Sequence, residues 1–184
     1  MKLIVAVTGA SGSIYAESLL KTAKNMQIES HLIVSKAAEK VIKHELGDVK
    51  KLEELANFSY NPEDLEAPLA SGSFIVNGMI IVPASMKTIG ALAHGYNSNL
   101  VTRAADVQLK ERRPLVIVPR ETPLHAIHLE NMAKLSTLGA VILPAMPAFY
   151  HEPTTIDDLV NFITGKILDQ LSVPNELFKR WTGS

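Results

Sequence analysis

The sequence predicts an α/β fold in which a doubly wound parallel sheet is sandwiched by helices, and three observations carry that prediction. Five short runs are continuously apolar and rich in Val, Ile and Leu. Each is followed by a turn and then by apolar residues at helical spacing. The runs do not alternate with polar residues, as strands with one solvated face would. The 184 residues are enough for one domain, 1–184, and too few for two of ordinary size.

The elements follow in order. Lys2 to Thr8 (KLIVAVT) ends in Gly9-Ala10-Ser11-Gly12, beyond which Ile14, Ala16, Leu19, Leu20 and Ala23 recur at helical spacing. This is strand, tight turn and helix. Ser30 to Val34 is a second strand, with Ser35 leading into a helix that runs to about Leu46. Asn57 to Ser73 reads as a loop long enough to be functional. Gly78 to Val82 precedes Pro83-Ala84-Ser85 and another helix, and Leu115 to Val118 and Ala140 to Leu143 supply the last two strands. Pro144 to Pro153 carries three prolines in ten residues and forms a second functional-length loop. Asp157-Asp158 opens the final helix behind Thr154 and Thr155, an arrangement that capping and dipole compensation explain. The series is Rossmann-like.

Composition removes several functions. The 18 Lys+Arg against 19 Asp+Glu give a net charge of -1, so no global field recruits nucleic acid or an anionic membrane. Apolar stretches such as Met79 to Ala84 are far shorter than the ~20 residues of a membrane-spanning helix. No signal-peptide layout opens the chain, and the absence of cysteine excludes disulfides, thiolate metal sites and a Cys nucleophile. The expectation is a cytoplasmic protein with no membrane insertion.

Open parallel sheets bind ligands beyond the carboxyl ends of their strands, where helix N-termini offer free N–H groups to anions. Those ends hold Thr8 to Gly12, Ser35-Lys36, Ser85 to Thr88, Arg120-Glu121-Thr122 and Ala145 to Tyr150. Each serine alone is an ordinary cap; gathered on one rim they point to a phosphate or flavin site. A TGAS turn also opens short-chain dehydrogenases, but no tyrosine here is followed by lysine four residues on. A P-loop is excluded because no Gly-Lys-Ser/Thr closes the turn. His125 and His128 share a helix face without an evident third ligand, His31 in an apolar strand reads as structural, and His151 beside Tyr150 is the better site histidine. Arg112 and Arg113 read as a solvated helix end. Arg103 in an Ala-rich helix, and Arg120 next to Glu121 after a buried strand, are candidates for ligand contact.

These residues together resemble the UbiX-type flavin prenyltransferases of the flavin-containing decarboxylase-like superfamily. The resemblance rests on TGASG at Thr8 to Gly12, SKAA at Ser35 to Ala38, ASGSF at Ala70 to Phe74 and SMKT at Ser85 to Thr88. It continues through the block Arg103 to Met132, then GAVILPAMPAFYHEP at Gly139 to Pro153 and Arg180-Trp181. It implies FMN, bound as reduced flavin substrate by Gly9, Ala10, Ser11, Ser35, Ser85, Met86, Lys87, Thr88 and Arg103. It implies dimethylallyl monophosphate held by Lys110, Arg120, Tyr150 and Lys166, with Ser11, Glu45 and Glu121 catalytic and Glu45 arriving from a neighbouring subunit. Joining the dimethylallyl group to flavin N5 and C6 makes prenylated FMN for a UbiD-type decarboxylase of either ubiquinone biosynthesis or aromatic-acid metabolism, with no metal required. Some members carry Arg where Lys166 stands and an aromatic residue near Leu65. A homo-oligomer, a dodecamer by resemblance, is also implied, and the Ala- and Gly-rich Ile89 to Ala105 segment suits close helix packing. The alternatives are an FMN-dependent decarboxylase of the cysteine-decarboxylase type and a non-catalytic flavin-carrier subunit.

Overall fold

The computed structural model describes residues 1–183; residue 184 of the expected domain lies outside the described residues. Six parallel strands form one sheet in the order β3-β2-β1-β4-β5-β6. They are β1 (Lys2–Val7), β2 (Glu29–Val34), β3 (Phe58–Tyr60), β4 (Gly78–Ala84), β5 (Leu115–Pro119) and β6 (Val141–Ile142). The helices are α1 (Ser13–Asn25), α2 (Lys36–Glu45), α3 (Lys50–Glu53), α4 (Met86–Ala93), α5 (Leu100–Lys110), α6 (Ala126–Thr137) and α7 (Ile156–Gln170). The chain winds outward from β1 in one direction and from β4 in the other, leaving a crevice at their carboxyl ends.

The continuous apolar runs are explained by burial on both faces. Leu3, Val5 and Val7 of β1 face a core built with Leu19 and Leu20 of α1, Ile42 of α2 and Ile163 and Ile167 of α7. Ile4 and Ala6 face the opposite core, with Ile89 of α4, Val101 and Ala104 of α5 and Leu135 of α6. Two layers of helix are therefore required to keep one strand dry. Within the Ile89 to Ala105 segment, Ile89, Leu100 and Ala105 are fully buried in this second core, whereas Gly90 and Ala91 are half-buried and Tyr96 is exposed. Ala93, Ala104 and Ala105 thus serve packing within the chain. Further exposed apolar side chains include Met146, Phe149, Ile156 and Trp181.

Two elements depart from the expected series. The stretch Asn57 to Ser73 contains an edge strand, β3, paired to β2 as His31 to Phe58 and Ile33 to Tyr60, and a 3-10 turn at Pro68–Ala70. His31 explains why this corner is ordered: it is buried, meets the Tyr60 hydroxyl at 2.9 Å and Glu29 at 2.8 Å, and stacks on Phe58. Its structural reading stands. The strand expected to end at Val82 continues to Ala84, with its register against β5 shifting between Ile81 and Ala84.

Helix α7 begins with a capping box: the Thr155 hydroxyl accepts from Asp158 N–H at 3.1 Å, and the Asp158 carboxylate accepts from Thr155 N–H at 2.9 Å. Hydrogen bonds from the Thr154 backbone and from Thr155 hold the Asp158 carboxyl down to about 2, from an ordinary 3.8. Thr155→Ala is expected to cost about 1 kcal/mol, read by urea denaturation at neutral pH. The folded state keeps Asp158 ionised to lower pH than the unfolded chain does. The contribution of this cap is therefore complete above pH 3.8 and fades as pH falls toward about 2. The variant should show a flatter stability profile across that window, and an equal slope in both proteins would refute the assignment.

Candidate flavin and phosphate site

The site is assembled where β1 and β4 diverge. The buried Thr8 hydroxyl donates to Pro83 C=O at 2.8 Å and accepts from Ser85 N–H at 2.8 Å, tying the end of β1 to the start of α4. Ser85 and Ser35 are then the N-caps of α4 and α2, accepting from Thr88 N–H at 3.4 Å and Ala38 N–H at 3.2 Å. One capping bond per helix leaves other first-turn N–H groups, including those of Lys36 and Met86, without intrahelical partners. A cavity of about 280 Å³ lies between the two caps, lined by Gly9, Ser35, Ser85, Lys87, Thr88 and Thr102 among others.

The glycine at position 9 is a steric necessity. A Cβ there would stand 2.7 Å from the Ala37 Cβ, so the β1–α1 loop touches α2 only without a side chain. Gly12, at φ 115, is the N-cap of α1 and has no side chain to cap with. Glu45 supplies the cap instead, its carboxylate accepting from Gly12 N–H at 3.0 Å and Ser13 N–H at 2.7 Å. Burial alone would raise the Glu45 pKa, but hydrogen bonds from Ser11, Ser13 and Gly12 outweigh it and hold the carboxyl below its ordinary value. Glu45 thus reaches the Ser11 loop from its own chain, where the sequence led us to expect a neighbouring subunit. It also neutralises the α1 terminus, so α2 and α4 are the rim termini left for a ligand's phosphate.

Arg120 anchors the same loop by donating from Nε to Ser11 C=O at 3.1 Å. Glu121 is exposed beside it and accepts from Thr122 N–H at 3.1 Å; no Arg120–Glu121 ion pair occurs among the described residues. The rim therefore gathers Gly9 to Ser13, Ser35, Glu45, Ser85 to Thr88, Arg120 and Glu121.

Other expected residues are held by contacts of their own. Arg103 is committed to Ala70 C=O at 3.0 Å and Asp106 at 3.2 Å, whereas Asn99 and Thr102 of α5 line the cavity. Lys110 ends α5 paired with Glu111 beside Gly72. Tyr150 packs edge-on to Phe162 and Trp181, and Lys166 sits 3.6 Å from Asp169 on α7. Sequence reasoning put Thr8 on the rim without giving it a role, and missed the Asn99–Thr102 pair. Ser98-Asn99 ahead of the apolar Leu100-Val101 is an N-cap signature that would have found the latter. His125 and His128 stack on each other at 3.5 Å, and no cluster of three or more His, Asp or Glu able to hold a metal occurs among the described residues.

Comparison with known proteins gives this rim a context. Residues 1–168 match the Flavoprotein family. The chain is 51% identical over 182 residues to flavin prenyltransferase UbiX of Methanocaldococcus jannaschii, covering 98% of each chain. The chain belongs to the UbiX flavin prenyltransferase family. Within the family, the solved AnUbiX (PadA1) complex with FMN and dimethylallyl pyrophosphate superposes with a TM-score of 0.97 at 43% identity, covering 100% of this chain and 98% of that one. A dodecameric FMN-dependent UbiX-like decarboxylase from Escherichia coli O157:H7 also gives 0.97, at 47% identity over all of both chains. The rim fits FMN in one specific respect: a cradle lined by Gly9 lies between two helix N-termini open to a phosphate, and its shape depends on the bare Gly9 backbone lying against Ala37 of α2.

Gly9→Ala tests that cradle. The added methyl must push the β1–α1 loop off α2, so FMN affinity in a fluorescence titration should drop at least about tenfold, or 1.4 kcal/mol. The melting temperature should change far less. Wild-type affinity in this variant would show that the contact does not shape the site.

Proposed function

We propose that this protein transfers the dimethylallyl group of dimethylallyl monophosphate to reduced FMN, releasing phosphate and prenylated FMN. The observation that carries the reading is identity of about half over nearly the full length to a protein named for this activity; the two open helix N-termini at the switch point support it. In this reading Gly9, Ala10, Ser35 and Ser85 to Thr88 hold FMN, with the phosphate at the α2 and α4 termini. Arg103 joins them only by leaving Asp106, so its expected FMN contact carries less weight.

Reduced FMN supplies nucleophilic N5 and the C6 carbon at which the prenyl group closes a new ring. The work left to the chain is to position the donor, accept phosphate as the C–O bond breaks with its electron pair, take the protons that N5 and C6 give up, and return one of them to the prenyl double bond as the ring closes. Arg120 is placed at the rim for the phosphate, and Ser11 hydrogen bonds beside it. Glu45 keeps the Ser11 loop in register and Glu121 takes the proton from C6. Lys110 and Lys166 join Tyr150 in the phosphate cluster only if neighbouring protomers bring them to this rim. That requirement supports a homo-oligomer, for which the dodecameric relative is the guide. Delivery of the product to a UbiD-type decarboxylase in the cytoplasm completes the proposal. A second reading, an FMN-dependent decarboxylase, is favoured by the name of that same relative. Incubation with reduced FMN and dimethylallyl phosphate separates them: mass spectrometry should find the flavin heavier by one dimethylallyl unit, and an unaltered flavin would overturn the proposal.

Two further outcomes are expected. Glu121→Gln should bind FMN and melt like the wild type while slowing formation of the final product about 10²- to 10⁴-fold, or roughly 3 to 5 kcal/mol of barrier, in a single-turnover quench. Wild-type speed would remove Glu121 from the mechanism. With lysine and arginine meeting the phosphate, EDTA should leave the initial rate nearly unchanged. A rate abolished by EDTA and restored by magnesium would contradict the assignment.

A further inference from the structure

The segment that follows α7 doubles back along it and is fastened at three points. Asn175 donates to Gly165 C=O at 3.3 Å and to Asp169 at 3.1 Å; Phe178 packs on Phe162 with centroids 4.9 Å apart; and Arg180 forms a two-pronged pair with Asp169 at 2.8 and 3.0 Å. Arg180 also donates to Asn175 C=O at 3.1 Å and stands 5.0 Å over the Phe178 ring. One carboxylate, on the last turn of α7, therefore receives Arg180, Asn175 and, at 3.6 Å, Lys166. Hydrogen bonding to Arg180 holds Asp169 below its ordinary pKa and Arg180 above its own, as expected of a standing ion pair.

The residue after Arg180 is Trp181, whose ring meets Tyr150 edge-on at 5.8 Å; Tyr150 leans in the same manner on Phe162 at 6.1 Å. We propose that Asp169 is a positioning residue for the prenyl donor: it fixes Lys166 directly and, through the Arg180 fork, sets Trp181 against Tyr150. This rests on the reading above that Tyr150 and Lys166 meet the donor's phosphate. The geometry argues for Asp169 rather than for the helix alone. Lysine is a flexible point charge with rotamer freedom to lose, whereas a planar guanidinium on a carboxylate fixes direction as well as distance. A tail with no other purpose needs only the Phe178 and Asn175 anchors. The fork adds a constraint at the residue directly before the tryptophan.

Trp181 is the chain's single tryptophan, so its fluorescence reports the tail without any flavin present. Asp169→Asn keeps the shape and removes the charge; Arg180→Lys keeps the charge and removes the fork. Both variants should show lower tryptophan anisotropy than the wild type and a KM for dimethylallyl phosphate raised about tenfold, 1.4 kcal/mol, with FMN affinity unchanged. Asp169→Glu, which retains the carboxylate, should recover part of both losses. Lys179→Ala, at an exposed position in the same tail, should change neither. A variant that lowers the melting temperature with KM and anisotropy at wild-type values would reduce Asp169 to a structural role and overturn the proposal. So would a rise in KM that Asp169→Glu fails to reverse at all. If the wild type makes no prenylated flavin, the reading of the site fails instead, and the anisotropy series decides by itself whether Asp169 sets the tail.

Discussion

The structure depends on the knot that Thr8 ties between β1 and β4. Where a sheet changes winding direction its two central strands diverge, and nothing in the ladder itself fixes how far apart their ends stand. Thr8 fixes it by giving its hydroxyl proton to Pro83 C=O and taking the Ser85 N–H, while its own N–H reaches Pro83 C=O at 3.2 Å. Pro83 has no N–H to offer, so its carbonyl and the Ser85 amide are the groups at that turn that need partners. The buried hydroxyl satisfies the Ser85 amide, which would otherwise cost about 1–3 kcal/mol unpaired, and adds a second bond to a carbonyl that Thr8 N–H already meets. It also sets the Ser85 cap, and hence the α4 N-terminus, directly across from the Gly9 loop.

Charge at the rim follows from that placement. Three helices point their positive ends at one crevice, and without negative charge nearby the arrangement would favour any passing anion at each of them. The fold assigns them separately. Glu45 closes α1, and the bonds that favour its ionised carboxyl are the same N–H bonds that a phosphate would otherwise take. The α2 and α4 ends, capped by uncharged serines, keep their attraction for a ligand's anion. A serine cap and a glutamate cap thus perform different functions although both satisfy backbone donors.

Legibility in the sequence tracks how local each determinant is. The five apolar runs and the caps at Ser35, Ser85 and Thr155 are written in a few adjacent residues, and the structure places them as expected. Strand β3 is three residues long and exists because Phe58 and Tyr60 stack on His31, itself packed edge-on against Phe74, partners distant in sequence. In isolation Phe58-Ser59-Tyr60 sits among turn formers and reads as loop. The site divides in the same way. Gly9 to Ser13 and Ser85 to Thr88 follow strand ends, so their location is fixed by topology. The direction of Arg103 depends on which turn of α5 faces Ala70, and Glu45 reaches Ser13 from the far end of α2, across 32 positions of sequence. The family resemblance named Glu45 without revealing its route to the site.

The same topology explains why one chain does not gather the whole phosphate cluster. In a parallel sheet every helix that leaves the carboxyl rim must return to the amino rim before the next strand. Helix α5 starts at the ligand rim, with Leu100 N–H on Pro62 C=O, and its 11 residues carry Lys110 about 15 Å away, beside Gly72. Helix α7 does likewise: Lys166 lies eleven positions beyond the Thr155 cap, about 16 Å along the axis, and Leu171 after it approaches Gly78 at the start of β4. Shifting a loop does not return either lysine to the rim, since each is held by a helix packed across the sheet. A cluster that needs these cations together with Arg120 is therefore a property of an assembly. Met146 and Phe149 are exposed in the loop that carries Tyr150, and the exposed Trp181 packs on Tyr150; they are apolar surface that such an assembly would remove from water.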